Sequence, residues 1–213
     1  MSTQIDQDAT QAKAGAKRLL YRWSSAFYQG NETLLPQEFN GAQVLTTPAQ
    51  TVIANGGAGG QPTLAEFDQM YSRIRVDNGV PMYFLGNRHG YEAWKRAHYA
   101  LNSVPNVFAW EELPAPDGGT RRVACFYHDA AKWIIDDGIP NNEQPTGTAT
   151  SVYAVVLGRS GLFGILPKGS RDSMIQIDKT LVNGSAQDYH LMTWGVGLAL
   201  AAETSIARLQ NIV

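Results

Sequence analysis

The last stretch of the chain decides the fold: Asp188-Tyr-His-Leu-Met-Thr-Trp-Gly-Val-Gly-Leu-Ala-Leu-Ala-Ala-Glu-Thr-Ser-Ile-Ala-Arg-Leu-Gln-Asn-Ile-Val213. The pattern is typical of a long extended run, a short turn at 203–205 and a closing strand over 206–212. Gly195 and Gly197 interrupt the run, and glycine inside a strand usually marks a bulge or a close backbone approach. Because free chain ends tend to fray, an apolar end of this length predicts that the C-terminus packs on a part of the core formed early in the chain.

Residues 8–29 show the clearest helical pattern. Apolar side chains recur at helical spacing, while the basic residues lie largely outside the apolar stripe. The stripe consists of Ala12, Ala16, Leu19, Leu20, Trp23, Ala26 and Phe27, and Gly30 with Asn31 ends the helix. This amphipathic helix is the expected partner of the C-terminal strands. The first and last segments would then form one unit, with the middle of the chain inserted between them.

Helix and strand signals alternate through the middle of the chain. Thr63 and Glu66 form a capping box, in which each side chain accepts a hydrogen bond from a free backbone N–H, and the helix that follows is predicted to run to Asn78. A buried strand over 80–85 and a second helix, capped by Asn87, come next. Further strands are predicted at 121–127, 132–136, 151–157, 162–166 and 174–179.

The connections between these elements are rich in glycine. Residues 54–60 are expected to form a flexible loop, because they lack the Gly-Lys-Ser/Thr of a phosphate-binding loop. Residues 158–161 join two apolar runs and predict a hairpin. In the connector after the first helix, the apolar side chains are expected to hold the chain against the core: Leu35, Phe39, Val44 and Leu45.

Composition excludes several classes of protein. The chain has 213 residues, of which 44% are hydrophobic and 17% charged, so it is long and apolar enough to bury a sizeable core. The formal charge of −2 provides no global basic field for nucleic acid. Cys125 is the single cysteine, so the fold must stand without an internal disulfide. With no signal segment and no apolar run of membrane-spanning length, we expect a soluble protein made in a cytoplasm.

The proximity of Cys125, His128 and Asp129 in sequence is the one hint of catalysis. A thiol, an imidazole and a carboxylate could form a nucleophile and its base, and this supports an alternative hypothesis of a small hydrolase or ligand-binding domain. On one strand, however, positions 125 and 128 point to opposite faces of the sheet. No two histidines have the i, i+4 spacing of a helical metal pair. We therefore predict no enzyme, no metal and no cofactor.

Six short motifs follow one another along the chain: Ala26-Phe-Tyr-Gln-Gly-Asn31, Pro36-Gln-Glu-Phe-Asn-Gly-Ala42, Met82-Tyr-Phe-Leu-Gly-Asn87, Trp133-Ile-Ile-Asp-Asp-Gly-Ile-Pro140, Val152-Tyr-Ala-Val-Val-Leu-Gly158 and Ile206-Ala-Arg-Leu-Gln-Asn-Ile212. In order and spacing, the chain resembles the major capsid protein of tailed bacteriophages, whose fold is shared with the herpesvirus capsid floor and with encapsulin shells. One departure is Ala42, where leucine is usual.

The resemblance implies an α+β fold with two lobes. A peripheral lobe would comprise residues 1–60 and 184–213, with a long spine helix and long C-terminal strands. An axial lobe would comprise residues 61–183, with a mixed sheet flanked by helices. The axial lobes would meet around five-fold and six-fold axes, and the peripheral lobes near two-fold and three-fold axes.

The resemblance also implies a function. It indicates a structural subunit of an icosahedral viral capsid, which assembles in the host cytoplasm into pentamers and hexamers of itself around packaged DNA and contacts that DNA non-specifically on its inner face. The family has an N-terminal arm and a long β-hairpin before the spine helix, and here the helix begins near residue 8. Three explanations are open: the sequence is a fragment of a longer product, a companion chain supplies the arm and the hairpin, or the shell is locked in a different way. A scaffolding or decoration protein is a further expected partner.

The subunit contacts are predicted at two places. One is the outward part of the spine helix, and the other is the axial loop over 137–147. The residues predicted to lie in these contacts are Arg18, Arg22, Asp137, Asn141, Asn142 and Glu143.

Overall fold

The computed structural model describes residues 7–101, 108–114, 119–142, 149–166, 176–181, 188–193 and 195–213. The helices are α1 (Gln7–Gln29), α2 (Ala42–Leu45), α3 (Leu64–Ser72) and α4 (Arg88–Ala100). The strands are β1 (Thr51–Ile53), β2 (Tyr83–Gly86), β3 (Phe108–Pro114), β4 (Thr120–His128), β5 (Ala131–Ile135), β6 (Thr150–Val155), β7 (Leu162–Ile165), β8 (Gln176–Leu181), β9 (Asp188–Thr193), β10 (Gly197–Leu200) and β11 (Ile206–Ile212). This is the mixed α+β architecture that the sequence predicts.

A seven-stranded mixed sheet forms the centre of the fold. Its strands lie in the order β1-β11-β6-β2-β5-β4-β3. Strand β11 runs parallel to β1 and antiparallel to β6, and β2 runs parallel to β5. Two separate antiparallel ribbons, β7 with β10 and β8 with β9, complete the strand pairing of the described residues.

Both faces of this sheet are covered near its middle. Helices α3 and α4 pack on one face around Phe67, Trp94 and Trp133. The C-terminal end of α1 covers the other face, where Tyr28 contacts a cluster that includes Ile206. All six residues of β6 are buried. A strand covered on both faces reads as a continuous apolar run rather than an alternating one, which explains the pattern over 151–157.

The helix predictions hold in their main features. Helix α1 matches the predicted span almost to the residue. The capping box is present, since the Thr63 backbone N–H donates to Glu66 Oε2 at 2.8 Å. Asn87 caps α4 by accepting a hydrogen bond from the Gly90 backbone N–H at 2.8 Å. Helix α3 ends at Ser72, earlier than predicted, because the chain then enters a short 3₁₀ turn with Asn78 in the left-handed region.

The predicted hairpin at 158–161 is wrong. Strands β6 and β7 lie in different sheets, and β7 pairs with β10 instead. The turn is tight, with the Gly161 backbone N–H donating to the Gly158 carbonyl at 3.0 Å. A Cβ on Gly161 would lie 2.0 Å from the Val156 carbonyl oxygen, so only glycine fits. The turn carries the chain out of the large sheet rather than back along it.

Two of the loop predictions also need correction. The glycine-rich segment 54–60 is a hydrogen-bonded turn rather than a free loop: the Gly56 N–H donates to Glu66 Oε1 at 2.7 Å, and the Gly60 N–H donates to the Asn211 carbonyl at 2.8 Å. In the connector, Leu35 and Val44 are exposed and do not hold the chain against the core. Local sequence shows that these residues are apolar but not which of them meets another element.

The C-terminus does pack on an early part of the chain, though chiefly through a different element. Strand β11 is hydrogen-bonded to β1, and Ile206 shares a buried cluster with Tyr28 of α1. Of the C-terminal strands, β9 also contacts α1, as predicted. Strand β11 also pairs with β6, so the closing strand shares a sheet with strands of the predicted axial segment. The lobe boundaries near residues 60 and 183 stay a prediction.

Burial of β11 gives a stability prediction. Leu209 is fully buried at the centre of the sheet, and Leu209→Ala should lower the free energy of unfolding by about 2–5 kcal/mol through lost burial and a cavity. Leu20→Ala on α1 removes the same atoms from a side chain that is 53% exposed. This substitution should change the free energy of unfolding by less than about 0.5 kcal/mol. Chemical denaturation followed by tryptophan fluorescence measures both; equal effects would contradict the central position of β11.

Candidate functional site: assembly surfaces and a buried histidine cluster

The two arginines of the predicted contact surface lie on the solvent-facing side of α1. Arg18 and Arg22 are both exposed. An Nη of Arg22 lies 3.7 Å from Glu38 Oε1, and the Arg22 side chain remains 71% exposed. An ion pair this open contributes little to stability. Both guanidinium groups are therefore accessible to a partner.

The axial loop is anchored to the end of α1. The Tyr28 hydroxyl donates to Asp136 Oδ2 at 2.7 Å, and the Gly138 N–H donates to Asp136 Oδ1 at 2.8 Å. Burial, followed by the hydrogen bond to Asp136, raises the pKa of Tyr28 well above its ordinary value. Adjacent acidic residues before a glycine-proline loop, as at 136–137, are typical of a solvated turn. The structure shows instead that the Asp136 carboxylate joins the sheet to the helix.

Asn87 holds the same loop at its other end. Its Nδ2 donates to Thr150 Oγ1 at 2.7 Å and to Asn141 Oδ1 at 2.6 Å, with the Ile139 carbonyl 3.2 Å away. Asn141 therefore has a partner within its own subunit, although the residue as a whole is exposed. Asp137 and Asn142 are exposed, and Glu143 lies outside the described residues. The loop thus presents its outer residues on a base fixed by Asn87 and Asp136.

An apolar groove runs between α1 and the β7–β10 ribbon. It consists of two adjoining pockets, of about 420 and 240 Å³, which share Trp23, Phe39 and Val196 in their walls. Phe163 and Leu198 from the ribbon line the smaller one. Sequence analysis missed this groove, because the ribbon that completes it lies more than 100 residues after the helix and the connector in the chain.

The structure separates the residues of the alternative hydrolase hypothesis. Cys125 lies on the sheet face that also carries Glu111 and Tyr127, where Tyr127 donates to Glu111 Oε1 at 2.7 Å. Lys132 pairs with the other oxygen of Glu111, and this hydrogen bond is the largest cause of the lowered pKa of that carboxyl. His128 lies on the opposite face, among the aromatic side chains under α3 and α4. The strand-parity prediction is confirmed, and Cys125 and His128 do not form a nucleophile and base.

His128 instead belongs to a buried polar cluster. Its Nδ1 accepts a hydrogen bond from the indole Nε1 of Trp94 at 3.1 Å, and its Nε2 lies 3.0 Å from Asp68 Oδ1. An indole N–H can only donate, so Nδ1 carries no proton and the ring is the neutral tautomer with its proton on Nε2. Burial lowers the pKa of His128 more than Asp68 and Asp129 raise it.

The same cluster has three potential metal-ligand atoms, because His128 and the carboxylates of Asp68 and Asp129 lie within 4.8 Å of one another. A metal on Nε2 would require the ring proton on Nδ1, since metal-bound histidine donates its other N–H to an acceptor. Here that position faces the Trp94 N–H, which is a donor. The cluster is therefore built to hold a neutral imidazole rather than a cation.

Three solved structures that match this chain come from an encapsulin complex and from capsids. Over 99% of this chain, the structure matches the holo-SrpI encapsulin complex of Synechococcus elongatus, with a TM-score of 0.75, 18% sequence identity and 68% of that chain covered. It also matches the capsid of native GTA particle over 100% of this chain and 68% of that one, with a TM-score of 0.62 and 13% identity. For the capsid of empty GTA particle the TM-score is 0.55, the identity 14% and the coverage the same. The chain therefore has the capsid fold that the sequence motifs predict.

Comparison of the amino-acid sequence with protein families and with curated proteins finds no relative. No protein-family model and no curated protein matches the chain. None of the described helices is long and apolar enough to cross a membrane. The fold is thus shown by three-dimensional similarity alone.

The histidine cluster predicts a pH dependence of stability. The folded protein keeps His128 neutral below its ordinary pKa, whereas the unfolded chain takes up a proton there below about pH 6.5. Because the unfolded state then binds more protons than the folded state, the free energy of unfolding is highest above about pH 6.5. It decreases as the pH falls below that value. Nearby, His98 packs edge-on against Trp94, and burial lowers its pKa too.

His128→Asn tests this dependence, because an amide oxygen can accept from Trp94 but does not titrate. Between pH 7 and 5.5, we expect wild type to lose up to about 1.4 kcal/mol more per pH unit than this variant. The measurement is the denaturation midpoint as a function of pH. His89→Asn, outside the cluster, serves as the control and should follow wild type; parallel curves for all three proteins would refute the neutral-ring assignment.

Asn87 gives a second prediction. Asn87→Ala removes the α4 cap and leaves the Thr150 and Asn141 oxygens without their donor. We expect the free energy of unfolding to fall by about 2–4 kcal/mol, measured by chemical denaturation. Asn142→Ala, on the exposed outer part of the same loop, should be close to neutral. A neutral Asn87→Ala would show that the loop base does not depend on this amide.

Proposed function

We propose that the chain is a structural subunit of a closed icosahedral shell built from copies of itself. The observation that carries this proposal is the match over 99% of the chain, at a TM-score of 0.75, to a subunit of an encapsulin complex. A match that includes both the helix side and the sheet side of the molecule supports the whole subunit architecture rather than one shared motif. Closed symmetry with pentamers and hexamers is the assembly we infer.

Large apolar side chains on the surface support self-association. Among the described residues, the most exposed are Leu34 at 77%, Tyr21 at 65% and Leu101 at 64%. Monomeric proteins expose contiguous apolar surface sparingly, and larger patches mark association sites. We propose that the subunit contacts include the outward part of α1 and the axial loop, with Arg18, Arg22, Asp137, Asn141, Asn142 and Glu143 among their residues.

The content of the shell separates two versions of this proposal. In the first, the shell is a viral-type capsid around packaged DNA, assembled in a host cytoplasm, with a companion, scaffolding or decoration protein as a further partner. The capsids of the GTA particles support this version. In the second, the shell is of encapsulin type and is not viral; the higher TM-score to the encapsulin subunit favours it.

A non-enzymatic role agrees with the chemistry of the described residues. The thiol of Cys125 is buried on one side of the sheet. The imidazole of His128 is buried on the other side, bound to Trp94. Neither group is positioned to activate the other, so the hydrolase alternative has no support in this geometry.

Particle size tests the proposed function. We expect the purified chain, alone or with the product of the neighbouring open reading frame, to form closed particles or rings of five or six in light scattering and electron microscopy. The double reversal Arg18→Glu with Arg22→Glu should shift the population to small species. Arg88→Glu with Arg96→Glu, two exposed cations of α4, is the matched control and should assemble. A mixture that stays monomeric would overturn the shell proposal.

A further inference from the structure

The basic residues of α1 form the most strongly segregated charge in the protein. Between residues 9 and 31 there is no acidic residue, and four of the 17 basic residues of the chain occur there: Lys13, Lys17, Arg18 and Arg22. The rest of the chain has 13 basic and 19 acidic residues. A protein whose net charge is −2 thus carries a cationic helix.

The four cations share one exposed side of the helix. At about 100° per residue, they span an arc of about 180°, and the apolar positions that line the groove, such as Leu19 and Trp23, lie on the opposite arc. All four cations are exposed. Among the described residues, Arg22 is the member of this set with a carboxylate within 4 Å, namely Glu38. This surface, called here the basic face of α1, is open to a ligand.

An aromatic side chain lies within the basic face. Tyr21 is 65% exposed, falls near the middle of the arc, and has the Lys17 ammonium 5.8 Å from its ring centroid. Cations that neutralise phosphates, beside an aromatic ring on which a base can stack, are the combination that sequence-independent nucleic-acid surfaces use. An acidic protein would pair its carboxylates with the cations, but a carboxylate does not stack on the Tyr21 ring as a nucleic-acid base does.

Arg18 and Arg22 also belong to the proposed subunit contact, but a second copy of the chain is a poorer partner than nucleic acid for Lys13 and Lys17. Many carboxylates of the described residues already have a partner within their own subunit: Glu32, Glu38, Glu66, Asp68, Asp77, Glu111, Glu112 and Asp136. A neighbouring subunit would have to give up such contacts to neutralise Lys13 and Lys17 as well. A polyphosphate backbone offers regularly spaced charges at no such cost.

We propose that the basic face of α1 is a sequence-independent contact surface for nucleic acid. The proposal deepens the proposed function and rests on it only for where the nucleic acid lies, inside the shell. Arg18 and Arg22 also belong to the proposed subunit contact, so Lys13 and Lys17 are the residues that isolate the nucleic-acid role. Each cation that neutralises a phosphate contributes about 0.9 to the slope of log K against log salt.

The test compares wild type with the double variant Lys13→Gln, Lys17→Gln. Binding of a fluorescein-labelled 25-base-pair DNA is measured by anisotropy between 50 and 200 mM NaCl. The expected result is that the slope falls by about 1.8 in the variant. The matched double variant Arg88→Gln, Arg96→Gln removes the same charge from α4 and should keep the wild-type slope. For chain that purifies as closed particles, the readout is nuclease-protected nucleic acid per subunit, and the lysine variant should retain less than half.

Three results would overturn the inference. The first is an equal change of the salt slope in the two double variants. The second is wild-type protein that neither binds the DNA nor protects nucleic acid. The third is displacement of the DNA by poly-glutamate of equal charge at equal concentration. The last would assign the face to an acidic protein instead. Light scattering on every variant distinguishes the two proposals. Intact wild-type particles that contain no nucleic acid would refute nucleic-acid binding by the basic face of α1. Wild-type protein that forms no particles would refute the shell proposal.

Discussion

The structure depends on the burial of its last strand. Strand β11 pairs with β1, which lies more than 150 residues earlier in the chain, and with β6, about 55 residues earlier. Ala207 and Leu209 pack under the helices on one face, while Ile206 meets Tyr28 on the other. The large sheet is therefore complete only when the first and last strands of the described chain have come together. Such non-local pairing makes folding slow, because the entropy of closing a long loop is lost before the contacts form.

A few buried polar groups then fix the position of the elements around that sheet. Asp136 joins the end of α1 to the turn after β5, and Asn87 joins the start of α4 to the axial loop and β6. Each satisfies several hydrogen bonds at once, so a single substitution leaves several groups without a partner. In the core, Trp94 and His128 form a similar polar contact. The indole N–H of Trp94 determines which nitrogen of the His128 ring carries the proton. Stability and shape are thus specified by polar contacts between elements that hydrophobic packing alone would leave free to slide.

This arrangement leaves the outer surfaces available for association. Cys125 and His128 lie on opposite faces of the sheet, and His128 is bound to Trp94. The basic face of α1, the exposed apolar side chains and the outer part of the axial loop are supported from behind by buried contacts and face solvent.

Sequence by itself determined the local elements and their order. Helical periodicity predicted α1, and the capping signals predicted α3 and α4. The continuous apolar run predicted β6. Each of these signals depends only on residues that are close together in the sequence. The capsid resemblance then followed from their order. Tertiary structure alone decided that β7 pairs with β10 rather than β6, that β11 sits beside β1, and that Trp94, Asp68 and His128 meet. It also created the groove along α1. Each of these depends on contact between segments far apart in the chain, and local sequence patterns carry no information about which distant segment supplies the partner.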